Sequence, residues 1–329
     1  MPSGGVRKRK RGGALRILCF DGGGIKGLYT LMLLEALQAR LPCPLVQYFD
    51  LIVGTSTGGY IAAQLLLGAP LAAIRARYES IRGDLERHVG GRCAFFTRAL
   101  LGQRSLPLHL SERRLRAELG DDALLERLPR RLAIVAASAD ADPVAPFMLR
   151  SYALSAAAAR RAPPGASGGA LWRALQAATA APVLSEACEL HGRRLVDGAV
   201  VANNPAVFAL AEAAAVFDGE PVELLLSLGT GVAVPTAHQP AHALGWVRMA
   251  ATMLINTHLA HAQASGLLSP AQYVRLDPVG VGHFSGTEWA PAELEAGAAA
   301  VRQWLGENRA LLEATAARIA VLGVAGARE

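Results

Sequence analysis

GTSTG, residues 54–58, places a serine between two glycines where an apolar run ends and an apolar helix begins. FDLIV comes directly before it and YIAAQLLLG soon after, so the pentapeptide fits G-x-S-x-G in a strand–turn–helix setting. Gly54 and Gly58 let the backbone reverse tightly enough to present the Ser56 hydroxyl above a sheet edge. The N-terminus of the following helix, with its unpaired N–H groups and partial positive charge, then lies beside the reacting centre. Ser56 is therefore a candidate nucleophile. A serine hydroxyl is weak in that role at its free pKa and needs a positioned proton acceptor.

LVDGA offers one: Asp197 stands just past an apolar strand end, with Gly198 behind it. An isolated Asp-Gly pair is ordinarily an exposed turn. Beside a serine that needs a base it has another use, because desolvation in an apolar site raises a carboxylate's pKa toward a useful value. Histidine is the alternative. Of His88, His109, His191, His238, His242, His258, His261 and His283, none follows an obvious strand end. His238 best suits the order Ser…Asp…His of an α/β-hydrolase triad, although AHQPAH around it reads as a surface loop.

DGGGIKG, residues 21–27, has two readings. Gly22, Gly24 and Gly27 satisfy G-x-G-x-x-G between a strand and a helix, the fingerprint of a dinucleotide site. The next strand, however, ends in the Ser56 turn and not in an acid that would hold a ribose. A phosphate loop does not fit, since Lys26 precedes Gly27 and no Gly-Lys-Ser/Thr follows. In the second reading Gly22, Gly23 and Gly24 form an oxyanion hole, their N–H groups converging on a tetrahedral intermediate. Each such donor is worth about 10²–10³ in rate. If the two strands are adjacent and parallel, the loop lies next to Ser56.

These residues need a scaffold, and the pattern supplies one. LRILCF and FDLIV are near-continuous apolar runs, as expected of parallel strands covered on both faces, and each leads through a glycine turn into a helix. RRLAIVAASAD and VELLLSLGTG read as further strands, RRAPPGASGG as a loop, LWRALQAATAAP as a helix, and ELHGRRLVDGA as a hairpin-like pair. The alternation indicates an α/β sheet. Residues 79–125 read as an arginine-rich, irregular insertion or lid, and about 242–329 as a helical C-terminal part. Residues 1–13 read as a basic, solvated tail.

With 52% hydrophobic and 18% charged residues the 329-residue chain is globular, not disordered. Its four cysteines are scattered without a CxxC pair, which suits reduced thiols and neither a disulfide framework nor a zinc site. No secretory signal and no uncharged apolar stretch of transmembrane length is visible. The net charge of +6 favours anionic partners, yet Lys8, Lys10 and Lys26 are the only lysines among 33 basic side chains. That bias resembles GC-rich coding, so arginine number alone says little about ligands.

Taken together, these segments resemble the patatin-like phospholipase family over roughly Leu15 to Gly231. DGGGIKG is similar to its oxyanion loop, GTSTG to its nucleophile elbow and DGA (197–199) to its aspartate motif. ATAAPVL (178–184), NNP (203–205) and SLGTG (227–231) are similar to further recurring segments. The resemblance implies a three-layer α/β/α fold with a mostly parallel central sheet, formed by residues 14–329. It implies a lipid acyl hydrolase cleaving fatty acyl esters of membrane phospholipids, with Ser56 as nucleophile, Asp197 as base, Gly22, Gly23 and Gly24 at the oxyanion, and no metal or cofactor. Lys26 stands where the family usually carries arginine, which keeps the charge and loses the planar fork. GGGIKGLYT is also similar to compact bacterial members that degrade membranes after binding a cyclic dinucleotide in anti-phage signalling. The expectation is thus a cytoplasmic enzyme, alone or as a homodimer, acting peripherally at the inner membrane surface. It takes phospholipid as substrate and a cyclic dinucleotide as activator, and binds no nucleic-acid polymer. A triad esterase and a non-hydrolytic dinucleotide-binding protein using GGGIKG remain the alternatives.

Overall fold

The structure, a computed structural model, describes residues 14–88, 108–182, 184–233, 256–281 and 289–324. In chain order the elements are β1 (Leu15–Phe20), α1 (Gly27–Gln38), β2 (Leu51–Thr55), α2 (Thr57–Leu66), α3 (Leu71–His88), α4 (Leu108–Leu119), β3 (Arg131–Ser138) and β4 (Ala145–Arg150). There follow α5 (Ala156–Ala159), β5 (Gly165–Ser167), α6 (Leu171–Ala178), β6 (Cys188–Leu190), β7 (Arg193–Asp197), α7 (Ala199–Ala202) and α8 (Ala206–Val216). The last are β8 (Val222–Leu228), α9 (His258–Leu267), β9 (Tyr273–Leu276), α10 (Pro291–Glu307) and α11 (Arg309–Leu322).

The strands form one sheet in the order β5-β4-β3-β2-β1-β8-β9. From β3 to β9 neighbours are parallel, and β4 turns antiparallel beside β3. Alternation of side chains decides which layer each residue enters. Leu15, Ile17 and Cys19 of β1 pack with Leu51 and Val53 of β2 against α8 and α9. Leu18 and Phe20 point the other way, into a larger cluster with α1, α2, α6, α10 and α11. Both faces of β1 are buried, which is why its run shows no polar alternation. Arg16, the exception, is buried too, donating through Nη1 to the carbonyls of Tyr48 (3.2 Å) and Gly323 (2.5 Å).

β7 positions the site. β2 ends at Thr55 opposite Val135, and β7 occupies the same edge of β3 immediately beyond, running antiparallel with Asp197 opposite Ala136. The residue after β2 and the last residue of β7 therefore fall at neighbouring places on one edge. β7 is delivered by the expected hairpin with β6, whose turn His191-Gly192 has φ of 53° and 68°, the primed geometry that matches strand twist.

Three expectations are revised. The arginine-rich 79–125 segment is not irregular at its flanks: α3 and α4 occupy both, α3 burying Ile74, Tyr78 and Leu85 while Arg82 pairs with Glu79 and Glu86 one turn either side. Its centre, 89–107, lies outside the described residues. The C-terminal part is not purely helical, because Tyr273–Leu276 adds a parallel strand beside β8, and the 160–169 loop contains the short edge strand β5. A four-residue strand carries too little periodicity to stand out between helices.

Candidate active site

Ser56 adopts φ 51° and ψ −121°, a conformation that costs a non-glycine residue about 1–3 kcal/mol and marks a strained turn held by its surroundings. The surroundings are tight. A Cβ at Gly54 would lie 2.5 Å from the Gly59 nitrogen, and one at Gly58 would lie 2.3 Å from the Phe20 carbonyl oxygen. Only glycine lets α2 start so close to β1 and β2, and α2 starts at Thr57, with Ser56 as its N-terminal cap.

Ser56 Oγ donates to Asp197 Oδ2 at 2.6 Å, and the Ala199 N–H donates to Asp197 Oδ1 at 2.8 Å. The aspartate's own N–H donates to the Ala180 carbonyl at 3.0 Å, so the ATAAP segment pins it. Asp197 is 5% exposed. Burial pushes its carboxyl up to about 6, against the opposing hydrogen bonds from Ser56 and Ala199. A carboxyl at that value is ionised at neutral pH yet far more basic than an exposed aspartate, the condition for a general base.

The three loop glycines are not equivalent. The Gly22 N–H donates to the Asn203 carbonyl at 2.9 Å, so that amide is committed to the scaffold. Gly23 is half-buried, and Gly24, with φ 56°, is exposed with open space on its Cβ side. Lys26 is half-buried at the start of α1, its N–H donating to the Gly23 carbonyl at 3.1 Å. Thr230 Oγ1 donates to the Gly22 carbonyl at 3.0 Å, and Thr30 Oγ1 donates to the Gly229 carbonyl at 2.8 Å. NNP and SLGTG thus brace the glycine loop, a role their sequences did not disclose. Thr57 hydrogen-bonds the buried hydroxyl of Tyr78, which ties α3 to the elbow.

Among the described residues no histidine joins this arrangement. His88 Nδ1 bonds the Asp84 carbonyl and His261 Nδ1 the Tyr273 hydroxyl, while the hydroxyl of Ser56 meets the carboxylate of Asp197 without an imidazole between them. His238, His242 and His283 lie outside the described residues. Sequence reasoning also missed Asp21, Arg275 and Asp277. Arg275 Nη1 donates to Asp21 Oδ1 (2.8 Å) and Nη2 to Asp21 Oδ2 (2.5 Å), just ahead of the glycine loop. An arginine flanked by apolar strand residues, with an aspartate two places on, is the signal in YVRLD that could have found it.

The family model described as patatin-like phospholipase matches residues 18–210, which include the glycine loop, Ser56 and Asp197. Phospholipase A I of Arabidopsis thaliana is 28% identical over 277 residues, covering 68% of this chain and 21% of that protein. Intracellular phospholipase A2 of Caenorhabditis elegans is 30% identical over 237 residues, covering 69% of this chain and 20% of its own. The cUMP-AMP-activated phospholipase of Escherichia coli is 29% identical over 223 residues, covering 66% of this chain and 65% of its own. The chain thus spans about a fifth of the first two relatives and about two thirds of the third.

Proposed function

The chain belongs to the patatin-like phospholipase family, and on that footing we propose that it hydrolyses fatty acyl esters of phospholipids at a bilayer surface through a Ser56–Asp197 dyad. The observation that carries the reading is the 2.6 Å bond between the Ser56 hydroxyl and a buried carboxylate with a raised pKa. Ser56 Oγ adds to the ester carbonyl as its proton passes to Asp197 Oδ2. The negative oxygen that forms takes the amides of Gly23 and Gly24, with the positive end of α2 beside it. Collapse of the intermediate returns the proton from Asp197 to the departing alcohol and leaves an acyl group on Ser56. Water, deprotonated by Asp197, then attacks the acyl carbonyl, and collapse frees the fatty acid as the proton passes from Asp197 back to Ser56 Oγ. Lys26, half-buried at the end of the glycine loop, is proposed to offer a headgroup phosphate one point contact in place of a fork.

No helix among the described residues is long and apolar enough to cross a membrane. The test is mass spectrometry of products released from vesicles of defined phospholipids, beside the Ser56→Ala protein. Free fatty acid and lysolipid from the wild type alone support the reading, and intact lipid with both proteins overturns it.

The reaction has a pH dependence with a defined sign. The base acts only when ionised, and burial sets its pKa at about 6. Accordingly, kcat/KM on a neutral chromogenic ester falls about tenfold per pH unit below that value and is level above it. A profile flat down to pH 4.5 contradicts a base of this kind.

A cyclic dinucleotide as activator is the finer part of the proposal. Its support is the cUMP-AMP-activated E. coli relative, whose length this chain spans to 65%, far more than for the plant and nematode proteins. Calorimetric titration of the full chain with cUMP-AMP and other cyclic dinucleotides is expected to show binding, with hydrolysis rising about 5–150-fold, the usual range of a coupling free energy. Absence of both binding and activation across the panel removes the activator and leaves the hydrolase.

A further inference from the structure

Arg275 lies at the far side of the sheet from the nucleophile elbow, yet its guanidinium reaches the base of the glycine loop. The register explains how. Ser227 of β8 is paired on one side with Cys19 of β1 and on the other with Arg275 of β9. Arg275 therefore extends across β8, past Ser227, to the residue that follows β1. On the way Nη1 donates to Ser227 Oγ at 2.7 Å. At the end both Nη atoms grip Asp21, and Nη2 also donates to Asp277 Oδ2 at 2.5 Å. The other Asp277 oxygen accepts the Gly231 N–H at 2.9 Å. Asp21 is fully buried and the Arg275 side chain is 8% exposed, so the strap lies in the interior.

SLGTG acquires a residue-by-residue meaning here. Ser227 is the stepping stone for Arg275. Gly229 leaves room for the aspartate, since a Cβ there would lie 2.0 Å from Asp277 Oδ1. Thr230 holds the Gly22 carbonyl and Gly231 holds Asp277. Directly, or through Asp277 and Arg275, these contacts lead to the stretch Asp21-Gly22, from which Gly23 and Gly24 project. Successive glycines have the largest conformational freedom of any residues, so a loop built from them keeps its shape only if its ends are held. A misplacement of about 1 Å at a reacting centre costs on the order of 10²-fold in rate.

We infer that Arg275 is a positioning residue. Gripping Asp21 from β9, with Asp277 and Ser227 as its supports, it sets where the Gly23 and Gly24 amides point during turnover. The inference rests on the proposed reading of those two amides as the oxyanion site. It assigns Arg275 no contact with substrate. Ground-state binding is left largely alone, and the loss on disturbing the strap falls on the transition state, where the oxyanion exists.

The experiment compares wild type, Arg275→Met and Arg275→Lys on a short chromogenic ester. Turnover is expressed per serine labelled to completion by a fluorophosphonate, so that unfolded protein is not counted. For Arg275→Met, kcat per labelled serine is expected to fall about 10²–10³-fold, as on losing an oxyanion donor, with KM changed less than about threefold. Arg275→Lys keeps the charge but cannot fork between Asp21, Asp277 and Ser227, and is expected to lose about tenfold. Affinity for a trifluoromethyl ketone, whose adduct carries the tetrahedral oxyanion, should weaken in step with kcat/KM. If Arg275→Met does not fold, Arg275→Lys decides. Unchanged kcat per labelled serine in the folded variant, with only a lower melting temperature, makes Arg275 a purely structural residue and overturns the inference. A wild type without Ser56-dependent turnover overturns the underlying reading instead.

Discussion

Replacing Ser56 by alanine is expected to remove ester hydrolysis almost entirely, with kcat reduced by about 10⁴–10⁶-fold, as when the nucleophile of a serine hydrolase is lost. Among the described residues, the only side-chain hydroxyl donating to the Asp197 carboxylate belongs to Ser56, and the backbone turn at φ 51° aims it there. The fold should survive. The removed oxygen makes one hydrogen bond, and alanine at this position meets the same backbone strain that serine already bears. The cost is the loss of one donor to a buried carboxylate, about 1.5–3 kcal/mol for a hydrogen bond to a charged group. Thermal melting measured beside kcat separates the two effects: a small drop in midpoint with abolished turnover is the expected pair.

The second large effect belongs to Asp197. Asparagine has nearly the same shape, and its carbonyl oxygen can still accept the Ala199 N–H, but it cannot take a proton from Ser56. With no other base among the described residues bonded to that hydroxyl, kcat for Asp197→Asn should fall by about 10³–10⁴-fold. The pH dependence with its midpoint near 6 should vanish with it, because the titrating group is gone. Stability moves the other way or not at all, since a neutral amide is easier to bury than a carboxylate. Near-normal turnover in the folded variant assigns the proton to another base and restores the histidine triad, for which His238 is the candidate.

Much of this site is legible in the chain because each half is punctuated locally. Apolar run, glycine, serine, glycine and apolar helix form a short-range pattern, and LVDGA after a hairpin is another. What links them is not local. Ser56 and Asp197 are 141 residues apart, and their meeting depends on β7 occupying the edge of β3 where β2 stops. No periodicity encodes that choice of edge. DGGG reads as three like residues, and only the placement of NNP shows that the Gly22 amide is spent on Asn203. Arg275 escaped notice for a related reason. Its strand has four residues, lies in a stretch dominated by helices, and acts across a neighbour onto a residue 254 positions away.

Covalent labelling of the enzyme by a fluorophosphonate, followed as a rate against pH in wild type and Asp197→Asn and mapped by mass spectrometry, tests the dyad most directly. The expected result is a single adduct on Ser56 whose rate rises through a midpoint near pH 6 in the wild type and is slowed at least about 10³-fold in the variant. An adduct at another residue, or equal rates in the two proteins, contradicts the account.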